Sequence, residues 1–185
     1  NSGEIVVRRR ETEEAVPVDS FVVVVDSSVG LRESWNAIND ALGALVASGN
    51  AKVRIIVAGD SVRDLGDGAS AVAELRAIEP EGGVDNNPAL VEALTSLPAN
   101  DSSAVVWLYG PQPAKLSDSS ALDQYFERSL RPVPLYAIQV APGPNRVLEE
   151  LYRHTAVRSG VRLADVGPDL TSFFEGLTAG GERVV

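Results

Sequence analysis

The sequence predicts an α/β fold: a doubly wound, mostly parallel central sheet with helices on both faces, Rossmann-like in layout. Three observations lead there. Phe21–Val25 and Ala104–Leu108 are apolar runs without alternation, the pattern of strands covered on both faces, and Val53–Ala58 is a further hydrophobic strand. Between such runs lie segments with apolar residues every three or four positions, the mark of helices that bury one stripe. A chain of 185 residues, 44% hydrophobic and 23% charged, suits one soluble globular domain with a sizeable core.

Taken in order, residues 1–19 read as a linker or incoming strand from a preceding module. Ile5 to Val7 are apolar, and the basic triplet Arg8 to Arg10 is neutralised at once by Glu11, Glu13 and Glu14. After the Phe21–Val25 strand, Leu31, Trp35, Ile38, Leu42 and Leu45 mark a helix that Gly49-Asn50 ends with a left-handed cap. A second strand, Val53–Ala58, follows. Asp60–Leu65 is expected as a short edge strand after a turn at Gly59-Asp60, leading through Gly66-Asp67-Gly68 to a helix over Ala71–Ile78. The loop from Pro80 to Pro88 is rich in turn formers, and Asn87-Pro88 fits an N-cap and first-turn proline for a helix through Leu97.

The Ala104–Leu108 strand exits into Tyr109-Gly110-Pro111-Gln112-Pro113, which cannot be helical. A helix over Ser120–Leu130 shows Leu122, Phe126 and Leu130 on one face, and Leu135–Val140 is the next strand. Leu148, Leu151, Tyr152 and Thr155 then share a helical face, Val161–Ala164 is a last strand, and Pro168 opens a helix carrying Leu170, Phe173, Phe174 and Leu177. The domain is expected over residues 20–178, with 179–185 as a tail or outgoing linker. The Asn-Ser-Gly start and the absence of methionine suggest a piece of a longer protein.

Composition narrows the function classes. A formal net charge of -10 argues against general nucleic-acid binding and adhesion to anionic membranes, which want clustered cations. No apolar run approaches the roughly 20 residues that span a bilayer, so direct membrane insertion is not expected. Without cysteine there is no disulfide framework or thiolate chemistry, and a single histidine leaves little for a histidine-built metal site.

The residues of interest sit where the first strand ends, Asp26-Ser27-Ser28-Val29-Gly30, because open α/β sheets place ligands at the carboxyl ends of their strands. Together with the Gly82-Gly83-Val84-Asp85 loop and the Val105-Val106-Trp107-Leu108-Tyr109-Gly110 strand end, this stretch resembles the three landmarks of a von Willebrand factor type A domain. The resemblance covers about Val18 to Leu177. The connector before the first strand is also similar to that of bacterial relatives of the inter-alpha-trypsin inhibitor heavy chains.

What the resemblance implies is a magnesium ion at a metal-ion-dependent adhesion site: Asp-x-Ser-x-Ser in the first loop, a threonine after paired glycines in the second, an aspartate at the third strand end. Asp26 and Ser28 match. Gly30 replaces the last serine, Val84 the threonine and Tyr109 the aspartate. Magnesium demands near-octahedral oxygen coordination, and one carboxylate with one or two hydroxyls makes a poor cage. Asp85 is the candidate second carboxylate, with Asp60 and Asp118 on neighbouring loops. The site is therefore expected to be degenerate, with Asp26 and Ser28 acting as loop-formers.

Enzyme chemistry is the competing class. Asp26 at a strand tip suits a phosphoryl-accepting nucleophile, but such a site wants a second acid for magnesium and a lysine on the phosphate. Lys52 begins the second strand at the opposite end of the sheet, and Lys115 lacks a matching acid. His154 lies within a helical pattern, and neither a Gly-x-Ser-x-Gly elbow nor a phosphate loop is present. The reading that remains is a non-catalytic interaction or adhesion module needing no cofactor. Its partner would be another protein or a neighbouring domain, contacted through Ser27, Val29, Gly30, Val84, Tyr109 and Pro111 with Tyr109 as exposed centre. An extracellular or cell-envelope setting follows from the resemblance alone.

Overall fold

The computed structural model describes residues 17–82, 85–97, 102–111, 120–129, 133–153, 161–164 and 169–180. Among them β1 (Ser20–Asp26) is central. It pairs in parallel with β2 (Lys52–Ala58) on one side and β4 (Ser103–Tyr109) on the other. β5 (Leu135–Gln139) and β6 (Val161–Ala164) extend the sheet beyond β4 in parallel, and β3 (Val62–Asp67) closes the far edge antiparallel to β2. The order β3-β2-β1-β4-β5-β6 makes β1 and β4 the pair where the winding reverses, and the crevice between their carboxyl ends is where such sheets open a site.

Strand alternation divides the core into two layers. Phe21, Val23 and Val25 of β1, with Ala104, Val106 and Leu108 of β4, face α1 (Trp35–Ser48), α2 (Gly68–Arg76) and α6 (Leu170–Thr178). Val22 and Val24, with Val105, Trp107 and Tyr109, face α3 (Asn87–Ser96), α4 (Ser120–Arg128) and α5 (Arg146–Arg153). Every β4 side chain is buried, which is why that run shows no polar alternation. Edge strand β3 buries only Leu65, and its exposed Asp64 pairs with Arg54 of β2.

The predicted strands and helices are all present, with shifted bounds. The stripe Leu31, Trp35, Ile38, Leu42 and Leu45 is buried, but Leu31 lies in a 3-10 segment, Val29–Ser34, that precedes α1. Gly49 ends α1 at φ 67°. Helix α2 starts at Gly68, and β3 runs on to Asp67. The residue before α3 is Asn86, with Pro88 in the first turn, so the cap position falls one residue earlier than Asn87; no side chain caps there, because Asn86 is used elsewhere. Asp169 caps α6, accepting from Ser172 N at 3.0 Å. Val18 and Asp19, assigned to the connector by sequence, join the packed body: Val18 N donates to Leu177 O at 3.0 Å and Asp19 N to Ser102 O at 2.9 Å. The readings placed on residues 1–16, Leu130, Tyr152, Thr155, Pro168 and 181–185 lie outside the described residues or side chains.

Candidate functional site

The site is built from four segments at the carboxyl ends of β1 and β4. Asp26 closes β1 fully buried. Its Oδ1 accepts from Ser28 N at 2.9 Å, and its Oδ2 from Ser28 Oγ at 3.1 Å and from Gly110 N at 3.3 Å. The Asn86 side chain donates to it as well, and Asn86 Oδ1 accepts from Trp107 Nε1 at 2.8 Å. Burial pushes the Asp26 carboxyl above the ordinary 3.8, with the hydrogen bonds from Ser28, Gly110 and Asn86 pulling the other way. Gly110 is held from its other side by Asn145, whose Nδ2 donates to Gly110 O at 2.9 Å while its Oδ1 accepts from Leu148 N at the head of α5.

The neighbouring loops are stitched through backbone. Ser27 donates twice to Ala58 O, from N at 2.9 Å and from Oγ at 3.1 Å, and its own carbonyl accepts from Glu81 N at 2.9 Å. Val29 N donates to Gly82 O at 3.1 Å, and Arg32 Nη2 to Pro80 O at 3.2 Å. Asp85 is half-buried and turns its Oδ1 onto Asn87 N at 2.9 Å, an Asx turn leading into α3.

The sequence-predicted residues separate on exposure. Val29 is 53% exposed, the only large hydrophobic so exposed among the described residues; Gly30 is exposed beside it and Pro111 is half-buried. Ser27 and Ser28 are buried with their hydroxyls committed, so neither is a surface contact. Tyr109 corrects the expectation most. It is 3% exposed and packs on Trp107, ring centroids 4.5 Å apart, because strand alternation sends residues 105, 107 and 109 into the α3–α5 layer. Its edge borders a cavity of about 440 Å³ with Gln139, Gly143, Asn145, Leu148, Glu149 and Arg153. Val84, Asp118, Lys115 and His154 lie outside the described residues.

Sequence reasoning missed Asn86, Trp107, Gly110 and Asn145. Trp107 carried a signal: a tryptophan in a fully buried strand needs a partner for its N–H. Gly110 and Gly30 owe their identity to close approach. A Cβ at Gly110 would fall 2.3 Å from Leu31 Cδ1, and one at Gly30 would fall 3.1 Å from Pro111 Cδ. Pro111 is flanked on its other side by Gly143, at φ 138°, where a Cβ would sit 2.6 Å from Pro111 Cγ. A serine at position 30 would therefore press on this proline.

Among the described residues the donor set falls short of the oxygen cage that magnesium demands. Gly30 has no side chain, Tyr109 is packed in the core and Asp85 turns its Oδ1 onto Asn87 N, which leaves the Ser28 oxygen and an Asp26 carboxylate whose two oxygens already accept hydrogen bonds. No group of three or more His, Cys, Asp or Glu able to hold a metal ion occurs among the described residues. Nor does Asp26 suit nucleophilic catalysis, since a phosphoryl donor has no access to a carboxylate that is fully buried and engaged on both oxygens.

No protein-family profile matches the chain, and no curated protein matches it in sequence. Solved structures do. Proximal thread matrix protein 1 from the mussel byssus superposes at TM-score 0.60 and 12% identity, over 90% of this chain and 49% of that one. An aerotolerance-related membrane protein from Bacteroides fragilis, bearing multiple mutations to serine, matches at 0.57 and 13%, over 88% of this chain and 98% of that one. The pilus adhesin SpaC from Lactobacillus rhamnosus GG matches at 0.58 and 12%, over 91% of this chain and 30% of that one. The chain thus spans about half the length of the mussel protein. These are structures of the von Willebrand factor A type, and this chain has the von Willebrand factor A-type fold. The mussel protein has also been solved with zinc in its metal-ion-dependent adhesion motif.

Proposed function

We propose that this chain is a non-catalytic interaction module of a larger protein, and that it contacts another protein or a neighbouring domain without a metal ion. One of the structures that share this fold is a pilus adhesin, which supports an adhesion or interaction role. The observation that carries the reading is the exposed apolar tip made by Val29, Gly30 and Pro111 at the crevice where β1 and β4 end. An aliphatic side chain standing out of a turn over a packed floor suits burial against a partner. The neighbouring pilus adhesin and the membrane protein from Bacteroides support an extracellular or cell-envelope setting. No helix among the described residues is long and apolar enough to cross a membrane.

The test places a photo-crosslinking residue at position 29 in the intact parent protein, with Asn50, at the opposite end of the sheet, as control. Cross-links to a defined protein or domain are expected from 29 and not from 50, unchanged by EDTA, and Val29→Glu is expected to weaken binding of the protein so captured about tenfold. Equal cross-linking from both positions, or loss of the position-29 product in EDTA, would contradict the reading.

A further inference from the structure

Asp26 collects donors from three separated segments: Ser28 N–H and hydroxyl from the β1 exit, Gly110 N–H from the β4 exit, and the Asn86 side chain from the turn before α3. Two of these donors are themselves anchored. Asn86 is oriented by the indole N–H of Trp107, which occupies its oxygen, and Gly110 is tied through its carbonyl to Asn145. Asp26, Ser28, Asn86 and Asn145 are all buried, so water does not compete for these bonds. Each of these described groups aimed at the carboxylate is a donor. That is the arrangement a cation otherwise supplies to a carboxylate, here provided by the chain.

We infer that Asp26 is a positioning residue whose carboxylate, held by these protein donors, locks the β1 exit, the β4 exit and the α3 entry into one arrangement that requires no cation. The lock presents Val29, Gly30 and Pro111 as a preformed surface. Its role in contact rests on the proposed interaction function; the lock itself does not.

The substitution Asp26→Asn decides it. An amide keeps the shape but, whichever way it is turned, sets an NH2 against Ser28 N–H or Gly110 N–H. In EDTA the melting temperature is expected to fall by roughly 5 °C, equally so in magnesium, failure to fold being the extreme of the same result. Native-state hydrogen exchange adds a readout that general destabilisation does not move: the amides of Ser28 and Gly110 are expected to exchange at least about tenfold faster while that of Ile55 in β2 stays protected. For a variant that retains the carboxylate, Ser28→Ala removes one donor, and a smaller fall with faster exchange at Gly110 is expected. A vacant cation site behaves oppositely, since neutralising its unbalanced buried carboxylate raises the melting temperature in EDTA. That rise, or unchanged exchange at Gly110 in both variants, overturns the lock. Cross-linking from position 29 is read separately, so loss of the lock with cross-linking intact leaves the interaction module standing.

Discussion

Replacing Trp107 with alanine is expected to lower the unfolding free energy by about 3–5 kcal/mol, read from denaturant unfolding. Trp107 heads the largest fully buried side chains, in the middle of the central sheet, and packs on Tyr109 in the layer beneath α3, α4 and α5. Most of the loss is cavity and lost apolar burial. Trp107→Phe separates the two parts of the effect: it retains a ring but leaves the buried Asn86 Oδ1 without the donor it holds at 2.8 Å, which costs about 1–3 kcal/mol. A tryptophan acting as filler alone would make Trp107→Phe nearly silent.

The second large effect is expected at Gly110. Its missing side chain leaves room for Leu31, and an added Cβ would meet Leu31 Cδ1 at 2.3 Å and Ala141 Cβ at 3.2 Å. Leu31 is fully buried, in an interior whose close packing leaves few voids to retreat into. Gly110→Ala is therefore expected to cost about 3 kcal/mol, the upper part of the overpacking range. The cause is checked with the double variant. Leu31→Ala alone costs about 2–5 kcal/mol by leaving a cavity, and adding Gly110→Ala to it should cost much less than Gly110→Ala in the parent. Additive losses would show that the glycine is needed for some other reason.

How far the fold was legible follows from the same residues. Runs such as Phe21–Val25 and Ala104–Leu108 could be read because strands covered on both faces leave no polar alternation, and the Leu31-to-Leu45 spacing marked one helical stripe. Tyr109 was misjudged for a local reason. A residue at the last position of a strand can end in solvent or in the layer below, and its register with Trp107 two residues earlier decided for the core. The hydrogen-bond network was harder still, since Asn86 lies 60 residues from Asp26 and 21 from Trp107 in sequence and only the sheet order brings them together. Gly30 and Gly110 read as missing ligands or turn formers; the structure shows them as clearances for Pro111 and Leu31.

That the loops around Asp26 hold together without a cation is tested most directly by thermal unfolding of the wild-type chain in EDTA, in millimolar magnesium and in millimolar manganese. A metal that binds only the folded state raises the melting temperature by mass action. The account predicts superimposable curves in the three conditions; a rise with either metal in the wild type that is absent from Asp26→Ala would contradict it.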